Sequence, residues 1–193
     1  DDAQVLDTYL VETAQLRRTQ QWRRLEKLLK EALARYPDQV DLLYVLADFN
    51  AARGNLKEAE EQFNKILAID PANIDALNAY GYMLLTQTDD EKKAAQLIEA
   101  AIKLYPDSLA IQDSYGWLLY RQGKTEDALN WLRRAYAAYR SNEISAHYIE
   151  VLHASGDKAL AEEVYHYEKQ GQPDNAALKA IGKKLGLDHD KKK

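Results

Sequence analysis

The sequence predicts an all-α chain built from repeated helical hairpins, on three observations. Two stretches match each other in the middle of the chain: Ala-Leu-Asn-Ala-Tyr-Gly-Tyr-Met-Leu-Leu at 76–85 and Ile-Gln-Asp-Ser-Tyr-Gly-Trp-Leu-Leu-Tyr at 111–120. Their glycines, Gly81 and Gly116, and the prolines ahead of them, Pro71 and Pro106, both stand 35 residues apart. Each stretch is followed by a second apolar helix pattern with alanines on its inner face, Ala94 and Ala101, then Ala128 and Ala135. Self-similarity at this period marks stacked hairpins, each too small to bury its apolar face alone.

Composition supports that class and removes others. Eight glycines and four prolines in 193 residues are too few for a turn-rich β-sandwich, and the strong helix formers dominate. A net charge of −5, with acids interleaved among bases, lacks the basic face that nucleic-acid phosphates require. With no cysteine there is no disulfide, thiolate metal site or cysteine nucleophile, and the compartment stays open. No apolar run reaches the length of a membrane span or forms a secretory core. The start at Asp1-Asp2 is expected of a mature or trimmed form, and Lys191-Lys192-Lys193 of a solvated tail.

The elements follow in order as one array over 1–190. Residues 3–38 form a degenerate hairpin: Val5, Leu6, Tyr9, Leu10, Ala14 and Leu16 give one stripe, Trp22, Leu25, Leu28, Leu29, Ala32 and Leu33 a second. Its connection, Arg18-Thr19-Gln20-Gln21, lacks a glycine, and Pro37 ends it. Residues 40–73 form a clear repeat, with Leu43, Leu46 and Ala47 inward, Gly54 stopping the first helix, Ala59, Phe63 and Ile66 on the second, and Asp70-Pro71 closing it.

Residues 74–108 repeat this with Leu77, Tyr80, Gly81 and Leu84, then Ala94, Ile98 and Ala101, then Pro106. Their inner turn, Thr86-Gln87-Thr88-Asp89-Asp90, has no glycine and is read as one residue longer, with Asp89 or Asp90 capping the next helix. Residues 109–141 carry Tyr115, Gly116 and Leu119, the turn at Gly123, then Ala128, Leu132 and Ala135. Arg140-Ser141-Asn142 replaces the closing proline, one residue short, with Ser141 or Asn142 as cap. Residues 142–173 are a divergent repeat with Tyr148, Ile149, Leu152, Gly156, Ala161 and Tyr165. Residues 174–187 hold a terminal helix whose Lys179, Lys183 and Lys184 are expected to coat an outer face, as a cap requires.

This pattern resembles the tetratricopeptide repeat. Leu43, Leu46, Ala47, Gly54, Ala59, Phe63 and Pro71 sit on the family positions, as do Gly81, Ala94, Ala101, Gly116, Gly123, Ala128 and Ala135. The resemblance implies a right-handed α-solenoid with a capping helix. Physics agrees: a mid-helix glycine costs about 1 kcal/mol against alanine, so Gly81 and Gly116 need a close helix crossing, facing Ala94 and Ala128. A narrower likeness rests on Asn78-Ala79-Tyr80-Gly81-Tyr82 with Gln87-Thr88-Asp89, and on the run from Asp113 to Gly123. It is similar to the C-terminal part of Gram-negative tetratricopeptide lipoproteins, some of which are outer-membrane-tethered adaptors for carboxyl-terminal processing proteases. That resemblance implies a periplasmic, outer-membrane-associated full-length protein; a cytoplasmic or assembly-associated adaptor is the alternative.

On the repeat register a concave wall would present Asp41, Tyr44, Asp48, Asn78, Tyr82, Asp113, Trp117, Tyr120, Arg121, His147 and Glu150. Rings beside carboxylates and amides suit an extended peptide or a partner's helix. With Arg121 the one cation among Asp41, Asp48 and Asp113, a neutral or basic segment is expected there. Trp117 and Tyr120 either line this wall or pack between repeats. Trp131, Tyr136 and Tyr139, on an outer helix, are expected to be partly buried, with a convex contact as the alternative. The first hairpin, with Trp22 and Leu29, offers a route to self-association.

Histidines 147, 153, 166 and 189 have no metal-ligand spacing, and no nucleophile triad or phosphate loop stands out. The sequence therefore predicts a non-catalytic scaffold without metal or cofactor. A hydrolase using His147 and Glu150 is the reading kept from another class.

Overall fold

The computed structural model describes residues 2–188. Among these residues there are eleven α-helices and no strand: α1 Asp2–Arg18, α2 Trp22–Arg35, α3 Val40–Ala52, α4 Leu56–Ile69, α5 Ile74–Gln87, α6 Glu91–Leu104, α7 Leu109–Arg121, α8 Thr125–Ala138, α9 Asn142–Ala154, α10 Lys158–Gly171 and α11 Ala176–Leu185. The helices alternate short inner turns with proline- or polar-closed linkers, the helix-turn-helix order of an α-solenoid. His189 and the lysine cluster at 191–193 lie outside the described residues. The chain divides into two compact units, Asp1–Leu97 and Ile98–Lys193.

Turn chemistry sets the helix ends. Gly54, Gly123 and Gly156 have φ of 77°, 78° and 98°, the left-handed region that a side chain disfavours. At the glycine-free first turn Gln20 takes that conformation itself, with φ 55°. The third turn solves the problem differently. The extra residue read there enters the helix, since α5 has 14 residues against 13 in α3, α7 and α9. Thr88 then leaves α5 in extended conformation, and its hydroxyl donates to the Leu84 carbonyl at 2.8 Å and accepts from the Asp90 amide at 3.2 Å. A threonine hydroxyl thus does the stopping that glycine does elsewhere.

At several helix starts a side chain accepts an orphan amide proton. Asp90 accepts from the Lys93 amide at 3.1 Å, Asn73 from Ala76 at 3.0 Å, Ser141 from Ile144 at 3.2 Å and Asn175 from Leu178 at 3.1 Å.

In the first unit, Leu16, Leu25, Leu29, Ala32, Leu42 and Phe49 form one core between α1, α2 and α3. Farther along, Phe63 of α4 stacks on Tyr80 of α5 (5.3 Å between centroids, 14° between planes), and Tyr44 of α3 meets Phe63 edge-on. The fully buried Tyr80 donates its hydroxyl to Glu60, which Lys93 also grips at 2.7 Å. Those two hydrogen bonds hold the Glu60 carboxyl below its ordinary pKa, Lys93 first and Tyr80 second, and burial pushes the Tyr80 phenol up.

In the second unit, α7 packs on α8, α8 on α9, and α9 on both α10 and α11. The core runs from Leu119, Ala128 and Leu132 through Ile149, Leu152, Ala161 and Tyr165 to Leu178, Ile181 and Leu187. Each fully sheltered leucine or isoleucine contributes about 1.5–3 kcal/mol. Two glycines permit the closest approaches. A Cβ on Gly116 would lie 2.7 Å from Leu132 Cγ and 3.3 Å from the Ala128 carbonyl oxygen, and one on Gly182 only 2.2 Å from the Tyr165 hydroxyl. In the first unit Gly81, Ala59 and Ala94 are likewise buried.

Gly116→Ala is expected to lower the unfolding free energy by about 1–3 kcal/mol through overpacking against Leu132. Adding Leu132→Val should recover part of the loss in urea titration. Wild-type stability in the single variant would mean that α7 and α8 do not approach so closely.

Candidate functional site

The anticipated binding residues fall on inner helices, and the two units hold them differently. In the first unit, Tyr44 and Asp48 belong to α3, Asn78 and Tyr82 to α5. Asp41 is exposed in the first turn of α3. Asp48 is tied to Arg17 of α1 at 2.9 Å. Burial raises the Tyr44 phenol pKa, and the charges of Asp48 and Asp75 add to it. Asn78 and Tyr82 are half-buried and stand four residues apart, hence on one face of α5. The Asn78 Oδ1 atom is sheltered from water and has no hydrogen-bond partner. An orphan acceptor of this kind costs about 1–3 kcal/mol.

In the second unit the candidates gather into one cluster on α7, α9 and α11. His147 Nδ1 lies 3.0 Å from both carboxylate oxygens of Asp113. The Trp117 ring stacks on the His147 imidazole at 4.2 Å and 18°, and meets Tyr120 at 5.2 Å. Glu150 accepts a 2.6 Å bond from Lys184 Nζ of α11. Burial first, then the neighbouring Glu150 charge, pushes the Tyr120 phenol up.

Asp113, His147 and Glu150 are buried, Trp117 and Tyr120 half-buried, and Arg121 exposed. Trp117 Nε1 is sheltered and has no hydrogen-bond acceptor. The carboxylates are committed to internal partners, while the Trp117 and Tyr120 side chains keep part of their surface exposed.

Lys179, Lys183 and Lys184 are all exposed, as expected of an outer coat, and Lys184 has a second role. It joins the cluster, while Lys179 pairs with Asp174 at 3.0 Å. A signal for it was present in the sequence: Lys184 follows Glu150 by 34 residues, as His147 follows Asp113. One repeat period places equivalent positions of successive inner helices side by side. The terminal helix therefore occupies the place of a further inner helix.

On the outer helix α8, Tyr136 stacks on Tyr148 at 4.7 Å and donates to the buried Glu168 at 2.6 Å. Burial and that carboxylate push its phenol far up. Trp131 packs edge-on against Tyr115, whereas Tyr139 is 62% exposed. Among the described residues no cluster of three or more His, Cys, Asp or Glu is arranged to hold a metal ion. No helix among them is long and apolar enough to cross a membrane.

Lys184→Ala strips a buried carboxylate of its cation, and the lysine's own exposure moderates the loss to about 1–2 kcal/mol. In a double-mutant cycle with Glu150→Gln, read by thermal unfolding, most of that cost is expected to vanish. An additive cycle would contradict the bridge.

Comparison with known proteins accords with this geometry. Two tetratricopeptide repeat models match the chain, one over residues 26–81 and the other over 92–143 and 115–176. The TPR repeat-containing protein PA4667 of Pseudomonas aeruginosa is 38% identical over 142 residues, covering 74% of this chain and 24% of that protein. The type IV pilus assembly protein PilF of the same bacterium is 26% identical over 159 residues, covering 81% of this chain and 63% of its own length. The chain thus spans about a quarter of one curated relative and under two-thirds of the other. Among solved structures, TTC0263, a thermophilic TPR protein of Thermus thermophilus, has a TM-score of 0.78 at 20% identity, over 94% of this chain and 99% of that one. The type IV pilus biogenesis factor PilW has a TM-score of 0.76 at 21% identity, over 96% of this chain and 88% of that one. Repeat models across most of the chain and the paired-helix architecture lead to one conclusion: the chain belongs to the tetratricopeptide repeat family.

Proposed function

We propose that this chain is a non-catalytic protein-binding scaffold whose inner helices receive a protein or peptide segment. The observation that carries this reading is the half-buried set of polar and aromatic side chains on inner helices of a tetratricopeptide repeat chain, Asn78 with Tyr82 in one unit and Trp117 with Tyr120 in the other. The partly exposed Asn78 amide and the Tyr82, Trp117 and Tyr120 rings offer polar and apolar contact area to such a segment. A peptide backbone offers the complementary N–H and C=O at every residue. Tyr44, Asp48, Asp113, Arg121, His147 and Glu150 flank or support these positions. The commitment of His147 to Asp113, and of Glu150 to Lys184, favours a packed support over a hydrolytic pair.

The partner reading rests on resemblance. A Gram-negative envelope adaptor that recruits a carboxyl-terminal processing protease or its substrates fits the lipoprotein-like motifs around Gly81 and Gly116. On that reading the full-length protein is periplasmic and tethered to the outer membrane. The specific observation favouring a second reading, an assembly-associated adaptor, is the 26% identity with the pilus assembly protein PilF. The same surface serves in both, and also in a cytoplasmic adaptor.

Affinity capture from a Gram-negative envelope extract separates the readings. Wild type is expected to recover a processing protease, and Asn78→Ala/Tyr82→Ala and Trp117→Ala to recover at least fivefold less with helicity intact. Pilus-assembly proteins in its place would select the second reading. Unchanged recovery by both variants would remove the inner helices from the binding site.

A further inference from the structure

We propose that the turn between α1 and α2, with the cleft beside it, is a separate docking site for an acidic protein segment that inserts one bulky apolar side chain. The chain carries a net charge of −5, yet residues 17–24 read Arg-Arg-Thr-Gln-Gln-Trp-Arg-Arg. Arg17, Arg18, Arg23 and Arg24 are all exposed, and Arg53 at the C-cap of α3 adds a fifth guanidinium. Among the described residues only Arg17 of these five has a salt bridge, to Asp48 at 2.9 Å. Arg24 donates to the neutral Gln21 at 2.8 Å, and Arg53 lies over the Phe49 ring at 5.3 Å. Four of the five guanidiniums thus have no salt-bridged carboxylate among the described residues, although Arg53 acts on Glu26 at longer range.

Beside it a cleft of about 240 Å³ is lined by Arg17, Trp22, Leu25, Val45, Asp48, Phe49, Ala52 and Arg53. That volume lies below the roughly 300–1,000 Å³ of small-molecule sites and suits a single side chain. Trp22 forms one wall, 43% exposed, with its ring 6.4 Å from that of Phe49. Tryptophan and arginine are the residues that most often dominate protein interfaces, and here they surround a ready-made apolar recess.

Charge complementarity selects the occupant. Carboxylates on the partner would meet Arg18, Arg23 and Arg53, and a leucine or phenylalanine between them would enter against Trp22 and Phe49. The nearby acids are few: Asp48 is held by Arg17 and Glu26 by Lys30, while Asp7 and Glu12 line a neighbouring cavity with Arg24. A recess between helices favours an inserted side chain over a flat lipid surface. The site differs in residues and in charge preference from the Asn78 and Tyr82 face.

The test is fluorescence anisotropy with labelled Gly-Asp-Glu-Leu-Phe-Asp-Glu-Gly, its Lys-for-acid counterpart and its Ser-for-Leu-Phe counterpart. Only the first is expected to bind, more weakly as salt rises. Its dissociation constant should increase at least tenfold in Trp22→Ala and in Arg18→Glu/Arg23→Glu, and stay within twofold in Tyr82→Ala. The arginine variant changes exposed side chains alone, so it reads the site even where Trp22→Ala fails to fold. The proposal is overturned by absence of binding or by equal binding of the peptide lacking apolar residues. It is likewise overturned by binding of phosphatidylglycerol vesicles in place of the peptide, or by a dimer dissolved by Trp22→Ala with no peptide bound.

Discussion

A helical hairpin has more apolar surface than its own two helices can cover. That shortage is what the rest of the structure answers. In the second unit α9 carries Tyr148, Ile149, Val151 and Leu152, too many buried faces for one partner, and it packs against α8, α10 and α11 together. Close packing demands small residues where helices approach, which is why Gly116 meets Leu132 and Ala128, and Gly182 meets Tyr165. The terminal helix is part of the same solution. Leu178, Ile181 and Leu187 close the core that α9 and α10 leave open.

The repeat also organises the polar groups. Asp113 with His147, and Glu150 with Lys184, are each separated by 34 residues, so one period carries a side chain to the corresponding place on the next inner helix. Buried carboxylates then find partners without any specialised loop. On the proposed reading the consequence is a firm support: the Trp117 ring is held by stacking on His147, itself fixed by Asp113, before any partner arrives. A preformed surface loses less conformational freedom on binding than a mobile one.

Much of this was legible in the residues. Periodic alanines and glycines marked the central hairpins, and caps were readable at Asp89 or Asp90 and at Ser141 or Asn142, between which the structure selects Asp90 and Ser141. The inserted residue near Thr88 was visible, but its destination was not. Whether an extra residue lengthens a helix or a turn depends on hydrogen bonds such as that from Thr88 to Leu84, which spacing alone does not encode. The bridge from Lys184 to Glu150 was missed because exposed lysines are the ordinary dress of a capping helix. Only the 34-residue relation to Glu150 distinguished it. The arginine-rich turn went unremarked because net charge averages over the chain, and the cleft beside Trp22 exists only once α3 is packed against α2.

The account stands on mutual shelter between neighbouring hairpins, and removing the last shelter tests it most directly. Urea unfolding of the second unit, followed by fluorescence and circular dichroism, should be compared between the full chain and one ending at Gln172. Burial of Leu178, Ile181 and Leu187 at about 1.5 kcal/mol or more each implies a loss of at least about 4 kcal/mol, with α9 and α10 unfolding at markedly lower urea. An unshifted transition would show that these hairpins stand without their neighbours, and would contradict the account.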